Sequence, residues 1–383
     1  MSSHPQPSAP PPTVVWLRTG AEAFRRMLAA IDQASRSIQL EVYIFQPDAT
    51  GERFRAALIR AARRGVPVEV LLDAFGSNGL PAGYWRELEE LGGTVRLFNP
   101  FSWRLFVFRD HRKLLLIDGT VAFVGGFNIG DEYDGDGVTH GWRDLGWELR
   151  QPDAVRQLAA AFAGMFHAYD LRHRLLLRIR RPLLRQTPAS RHGPVLLGGP
   201  RLRRNQFRMS LRRALRSARH VQIISGYFVP NFRMRRALRR VARRGGTVEL
   251  ILAGKSDVPI AQLAGRHLYG ALLRAGVKIH EYQPQILHSK LIIVDDAVYV
   301  GSANLDVRSF GINYELMVGL EGPQLAAEAR ELFAADRRQA VEITLPHWRK
   351  SQDWLTRLRG LWACFAFTKF DPWLARRQLR ARS

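Results

Sequence analysis

The chain repeats itself, and this repeat limits the folds open to it more than any other feature. Residues 37–47, SIQLEVYIFQP, and 54–73, FRAALIRAARRGVPVEVLLD, are matched by 220–230, HVQIISGYFVP, and 234–253, MRRALRRVARRGGTVELILA. In each copy a run rich in Val, Ile and Tyr ends at a proline, as a buried strand does. A helical spacing follows, with Phe54, Leu58, Ile59 and Ala62 in one copy and Met234, Leu238, Val241 and Ala242 in the other. Both helices stop at Arg-Arg-Gly (Gly65, Gly245), where glycine and last-turn cations suit a helix C-terminus. A second apolar run comes next. Two heavily apolar strands joined by a helix call for a parallel pair buried beneath helices. Equivalent residues stay about 180 apart, so the 383 residues read as two α/β domains.

A shorter element recurs downstream: HRKLLLIDGTVAFVGGFN (111–128) and HSKLIIVDDAVYVGSANLD (288–306). Each holds His, Lys two residues later and Asp five beyond that: His111, Lys113, Asp118 and His288, Lys290, Asp295. From 11 His, 6 Lys and 18 Asp, chance predicts about 0.008 occurrences of this spacing. Two of only six lysines stand here in a chain with 52 arginines, so a compact ammonium is wanted where an arginine fork would not serve. Residues two apart in an extended segment share a face, which points each His and its Lys the same way. The aspartates fall on the opposite parity, followed by Gly119 or Asp296, and read as supports at hairpin turns. Beyond each returning strand lie Gly125-Gly126 or Gly301-Ser302, then Asn128 or Asn304. Small residues permit close approach, and an amide donates to an anionic oxygen.

A nucleophilic histidine needs a carboxylate to fix its tautomer and stabilise the imidazolium. Asp144, in GWRDLGWEL, and Glu315, in NYELMVGL, lie 33 and 27 residues after the histidines of their own halves, with Glu148 a competitor of Asp144. The other histidines, such as His140, His167, His173 and His267, show no metal-ligand spacing, and the one cysteine, Cys364, rules out a cysteine-rich zinc site.

These motifs resemble the phospholipase D superfamily. HRKLLLIDGTVAFVGGFNIGDEY with WRD after it, GYFVP, LHSKLIIVDD and GSANLDVRS resemble the bacterial cardiolipin synthases in particular, over roughly 14–345, in the short form without N-terminal membrane helices. One departure is visible: six residues separate the motif Asp from the next glycine in the first copy (119–124) and five in the second (296–300), so one hairpin turn should differ. The resemblance implies two phospholipase D-like domains, each a mixed β-sheet flanked by helices, packed about a pseudo-two-fold axis with both histidines on one phosphate. It implies a phosphatidyl group passed between phosphatidylglycerol molecules with release of glycerol, without metal or other cofactor. His111 would be the nucleophile, giving a phosphatidyl-histidine, and His288 the acid and base. Lys113, Lys290, Asn128 and Asn304 would hold the phosphate oxygens, and Asp144 and Glu315 would orient the imidazoles.

The expected organisation is a disordered Pro-rich tail over 1–12, a first domain over 13–168, a basic linker over 169–194, a second domain over 195–345 and an amphipathic segment over 346–383. The net charge of +24 draws such a chain to polyanions, either an anionic membrane or nucleic acid. Phe101, Trp103, Leu105, Phe106 and Phe108, mixed with Arg104 and Arg109, suit an interfacial surface. Trp354, Leu358, Leu361, Trp362 and Phe365 recur at helical spacing among Arg349, Lys350, Arg357 and Arg359. They read either as an in-plane membrane anchor or as a helix docked on the protein. With no run of about 18 apolar residues, a peripheral protein on the cytoplasmic face of a bacterial membrane is expected, needing no nucleic acid. The competing classes are other phosphatidyltransferases or hydrolases, a nuclease of the same superfamily, and a non-catalytic polyanion-binding protein.

Overall fold

The computed structural model describes residues 13–99, 107–168, 193–200 and 205–370. The Pro-rich tail, most of the connector, the run Phe101–Phe106 and the last 13 residues lie outside the described residues. Each copy builds one mixed sheet. The first contains β1 (Val14–Leu17), β2 (Ile38–Val42), β3 (Val68–Asp73), β4 (Thr94–Phe98), β5 (Lys113–Ile117), β6 (Val121–Gly125) and β7 (Gly146–Leu149), in the order β1-β7-β6-β5-β2-β3-β4. The second contains β8 (Val195–Gly198), β9 (His220–Ser225), β11 (Thr247–Ala253), β12 (Lys278–Tyr282), β13 (Lys290–Val294), β14 (Ala297–Gly301), β16 (Glu315–Glu321) and β17 (Ala340–Glu342). Its order is β17-β12-β11-β9-β13-β14-β16-β8, with β10 (Phe228–Val229) and β15 (Leu305–Asp306) as a separate parallel pair.

The repeated strands pair as their apolar content requires: β2 with β3 and β9 with β11 are parallel, and each leading strand also carries a motif strand, β5 or β13, antiparallel on its other side. Helices cover the outer faces. Between β2 and β3 runs α2 (Ala49–Arg63), packed beside α1 (Gly20–Gln33) through Phe24, Phe54 and Leu58. Between β9 and β11 runs α6 (Phe232–Arg243), beside α5 (Gln206–Ser217), through Leu211, Leu238 and Val241. The inner faces of both sheets share one core with α4 (Pro152–Ala168) and α9 (Pro323–Arg338), in which Leu114, Val124 and Trp147 join Ile224, Leu291, Val300 and Phe333. Burial on this scale makes the two halves one hydrophobic unit.

The run to Pro47 is not strand throughout. Regular pairing stops at Val42, and Tyr43 leaves the sheet to stand over His111 at 5.0 Å between ring centroids. The C-terminal segment is helical. Here α10 (Leu345–Lys350) and α11 (Trp354–Phe365) both pack on α7 (Pro259–Leu273), where Trp348 donates its indole N–H to the Arg266 carbonyl at 3.1 Å. Among the described residues no helix is long and apolar enough to cross a membrane.

Candidate active site

Each histidine precedes the first residue of its motif strand, so β5 and β13 deliver His111/Lys113 and His288/Lys290 to one end of the two sheets. Backbone contacts then cross between the halves. His111 N–H donates to the Tyr314 carbonyl (2.9 Å), and Tyr314 N–H donates to Arg109 (2.9 Å). In the other copy His288 N–H donates to the Arg143 carbonyl (2.8 Å), and Arg143 N–H donates to Ile286 (2.8 Å). These reciprocal bridges place the residue after Tyr314 and the residue after Arg143 beside the opposite half's imidazole.

The carboxylates therefore pair crosswise. His111 Nδ1 lies 3.1 Å from Glu315 Oε2, and His288 Nδ1 lies 2.6 Å from Asp144 Oδ2. Spacing along the chain, which puts each carboxylate downstream of its own half's histidine, suggests the opposite partners. The backbone bridges reverse it. Glu148, the competitor of Asp144, is occupied by Arg26 (2.7 Å) and Arg150 (2.8 Å) and reaches neither histidine. A carboxylate can only accept here, so each neutral imidazole donates its Nδ1–H and leaves the Nε2 lone pair for chemistry.

The electrostatics favour that state. Burial pushes His111 down to about 4, although Glu315 pulls the other way, and pushes His288 down to about 3, with Lys290 adding to the shift and Asp144 opposing it. Asp144 and Glu315 stay below the ordinary carboxylate range: burial would raise them, but the facing histidines and lysines outweigh it. Burial also lowers Lys113 to about 7, helped by the charge of Lys290, and lowers Lys290 to about 8. Each ammonium donates to the carbonyl of its own motif histidine, Lys290 Nζ to His288 and Lys113 Nζ to His111, the latter at 2.7 Å. Two buried lysines and two buried imidazoles held below their ordinary basicity make a site that gains from an entering anion.

Other motif residues sit further out. Asp118 and Asp295 occupy the hairpin turns with φ of 55° and 50°. Asp118 accepts from the backbone N–H of Ser35, Arg36 and Ser37, and Asp295 from Arg219 and His220. Neither aspartate reaches an imidazole. The one-residue difference between copies lies in these turns, three residues (118–120) against two (295–296). Asn128 and Asn304 turn their carbonyl oxygens to the N–H of Ile44 (3.2 Å) and Tyr227 (3.4 Å), which leaves the amide nitrogens as donors; that of Asn128 reaches the Tyr133 hydroxyl at 2.6 Å.

Several contacts are not readable from spacing. Tyr133, Trp142 and Tyr227 surround the His288 ring at centroid distances of 5.4, 5.7 and 6.4 Å. The tyrosines of VYIF and GYFVP carried a signal, since each follows a repeated strand at the end where the motif histidines emerge. Ser302 is more than a small residue: its hydroxyl donates to one carboxylate oxygen of Glu315 at 2.5 Å, while the Ser309 hydroxyl donates to the other at 2.8 Å. Gly126, its counterpart, is needed for space, because a Cβ there would stand 2.3 Å from Asp144 Oδ1.

The family model for the cardiolipin synthase, phospholipase D-like domain matches residues 27–166 and again 211–337. The chain belongs to this family. The match to both copies accounts for the internal repeat. A cardiolipin synthase of Geobacillus sp. (strain WCH70) is 36% identical over 334 residues, covering 85% of this chain and 66% of that protein. The major cardiolipin synthase ClsA of Bacillus subtilis (strain 168) is 33% identical over 344 residues, covering 88% and 71%. The chain thus spans about two thirds of the length of these curated relatives. Among solved structures, the phosphatidylserine synthase of Haemophilus influenzae Rd KW20 has the same fold, with a TM-score of 0.72 at 14% identity and 95% of each chain covered.

Proposed function

We propose that this family member is a phosphatidyltransferase that makes cardiolipin from two phosphatidylglycerol molecules, releasing glycerol, at the surface of an anionic membrane. The observation that carries this reading is the crossed pair of anchored imidazoles, each with a free Nε2, beside two buried lysines. The phosphate of one phosphatidylglycerol lies between them. His111 Nε2 attacks phosphorus, and the P–O bond to glycerol breaks as His288, made imidazolium by the anion's charge, gives its proton to the departing oxygen. The terminal hydroxyl of a second phosphatidylglycerol then loses its proton to His288 and displaces His111. Lys113, Lys290 and the amides of Asn128 and Asn304 hold the non-bridging oxygens throughout. Glu315 and Asp144 stabilise the positive imidazoles of the opposite half. The aspartates of the two motifs act as backbone supports.

Support for the lipid substrate comes from the relatives' names and from the cationic surface of the chain. The net positive charge suits a peripheral position on the anionic cytoplasmic face of the membrane. The test is mass spectrometry of lipids made by purified protein on phosphatidylglycerol vesicles, with and without EDTA. One cardiolipin and one glycerol should form per two lipids consumed, with EDTA without effect. In His288→Ala, a phosphatidyl adduct should be found on His111. Phosphatidic acid alone would make the protein a hydrolase, cleavage of DNA in place of lipid would make it a nuclease, and an adduct on His288 would exchange the two histidines' roles.

A further inference from the structure

The helix α11 is docked the wrong way round for a core helix. It lies against α7 through its smallest residues: Gly360 and Ala363 are buried, and a Cβ added at Gly360 would stand 3.1 Å from His267 Cβ. Ala363 packs with Val229, Ala264 and Leu268, joined by Cys364 and Phe367. The opposite face carries the large apolar side chains, with Trp354 75%, Trp362 65% and Phe365 51% exposed, alongside Leu358 and Leu361. At 100° per residue these five cluster within about a third of the helix circumference, diametrically away from Gly360 and Ala363. Arg357 and Arg359, both exposed, flank that face on its two sides. An apolar face of this size turned to solvent marks an interaction surface.

Its position relates it to the active site. Val229, which shares the apolar cluster of Ala363, lies two residues beyond Tyr227, whose ring faces His288. Three residues further, Phe232 opens α6 at 61% exposure, and Ile260 is exposed in the first turn of α7. Exposed apolar side chains thus stand at the starts of α6 and α7, the elements that follow the strand end bearing Tyr227 and that carry α11.

We propose that the outward face of α11 is a rigid seat for an anionic lipid leaflet, held on α7 so that the His288 side of the active site meets the membrane surface. The proposal rests on the lipid-substrate reading and deepens it. Tryptophan and arginine on one helix suit the headgroup boundary, where the indoles lie shallow and the guanidiniums meet phosphates. A second copy seated on the same face would bring the arginines of both helices together, and that repulsion favours the leaflet as occupant.

The test is sedimentation of the intact protein with vesicles of phosphatidylglycerol and phosphatidylcholine, using Leu358→Glu/Trp362→Glu. Both side chains are exposed, so thermal stability should be unchanged; Leu358→Ser/Trp362→Ser replaces this variant if it is not. Affinity should fall at least tenfold and turnover on vesicles should fall with it, while turnover on detergent-dispersed lipid persists. Unchanged vesicle affinity would overturn the proposal. So would a variant that converts a dimer to a monomer with vesicle binding intact, which would make the face an interface between copies. Binding is measured without turnover, so a protein that needs this face for vesicles but makes no cardiolipin would reject the activity and leave the seat standing.

Discussion

Lys113 illustrates a conflict between stability and function in one side chain. In the folded state its ammonium is lowered to about 7 by burial and by the charge of Lys290, against about 10.4 when unfolded. Between those values the unfolded chain holds a proton that the folded chain does not, so this lysine costs stability increasingly as pH falls from about 10.4 toward 7. Lys113→Met should therefore raise the thermal midpoint at pH 7, by about 1 °C for each kcal/mol recovered in a single cooperative unit of this size. The gain should shrink toward pH 10, and turnover should be lost; a lowered midpoint in calorimetry would contradict this. Inorganic phosphate should inhibit the native enzyme best below about pH 7 and weaken as Lys113 and Lys290 (about 8) lose their protons, a trend read directly from inhibition constants against pH. The crossed carboxylates give a third prediction. In Asp144→Asn the amide can donate to His288 Nδ1 and so move the proton to Nε2. Turnover should drop about 10²–10⁴-fold with KM little changed, because Asp144 binds the Nδ1 side of the ring and the proposed reaction uses Nε2.

At the level of elements, the two motif hairpins act as clamps. Asp118 gathers three successive N–H groups of the turn entering β2, and its positive φ is one that Asp and Asn tolerate better than Ala. Asp118→Ala should lower stability by about 1–2 kcal/mol in denaturant titration, Asp118→Asn should lose less, and neither should alter KM. Much of this architecture was legible in the chain. The strand–helix–strand repeats, the buried faces of α2 and α6 and the unequal hairpins follow from local periodicity and from counting residues. The pairing of His111 with Glu315 and His288 with Asp144 was not, since it arises from backbone bridges at Tyr314 and Arg143 that join residues more than 140 apart. No spacing within a half encodes them. Ser302 was similarly opaque, because a serine beside a glycine reads as room for close packing until Glu315 is placed against it. The helix α11 was ambiguous for a different reason. Its apolar spacing is the same for a core helix and a membrane helix, and only the docking of Gly360 and Ala363 decides which face is free.

For the molecule as a whole, the shared inner core and one buried ion pair make the halves interdependent. Arg143 Nε lies 2.7 Å from Asp336 Oδ1, both buried, and the same guanidinium donates to the Asp144 carbonyl at 2.8 Å. Arg143→Ala would leave Asp336 without its cation and should cost about 3–5 kcal/mol. Scanning calorimetry should show one transition in both the native protein and this variant, since Leu114 and Leu291 share a core; two separated transitions would mean that the halves fold independently. The crossed carboxylates bear finally on descent. A half-length chain pairing with its twin would meet the same geometric demand, each copy completing the other, but symmetry would make its two imidazoles equivalent. The reaction proposed above, in which one nitrogen bonds to phosphorus while the other handles protons, gives the two imidazoles unlike tasks. Joining the copies end to end lifts that symmetry, and the differences are already visible: Gly126 makes room for an aspartate on one side, and Ser302 braces a glutamate on the other. Within one chain each twin is free to specialise while it stays hostage to its sibling.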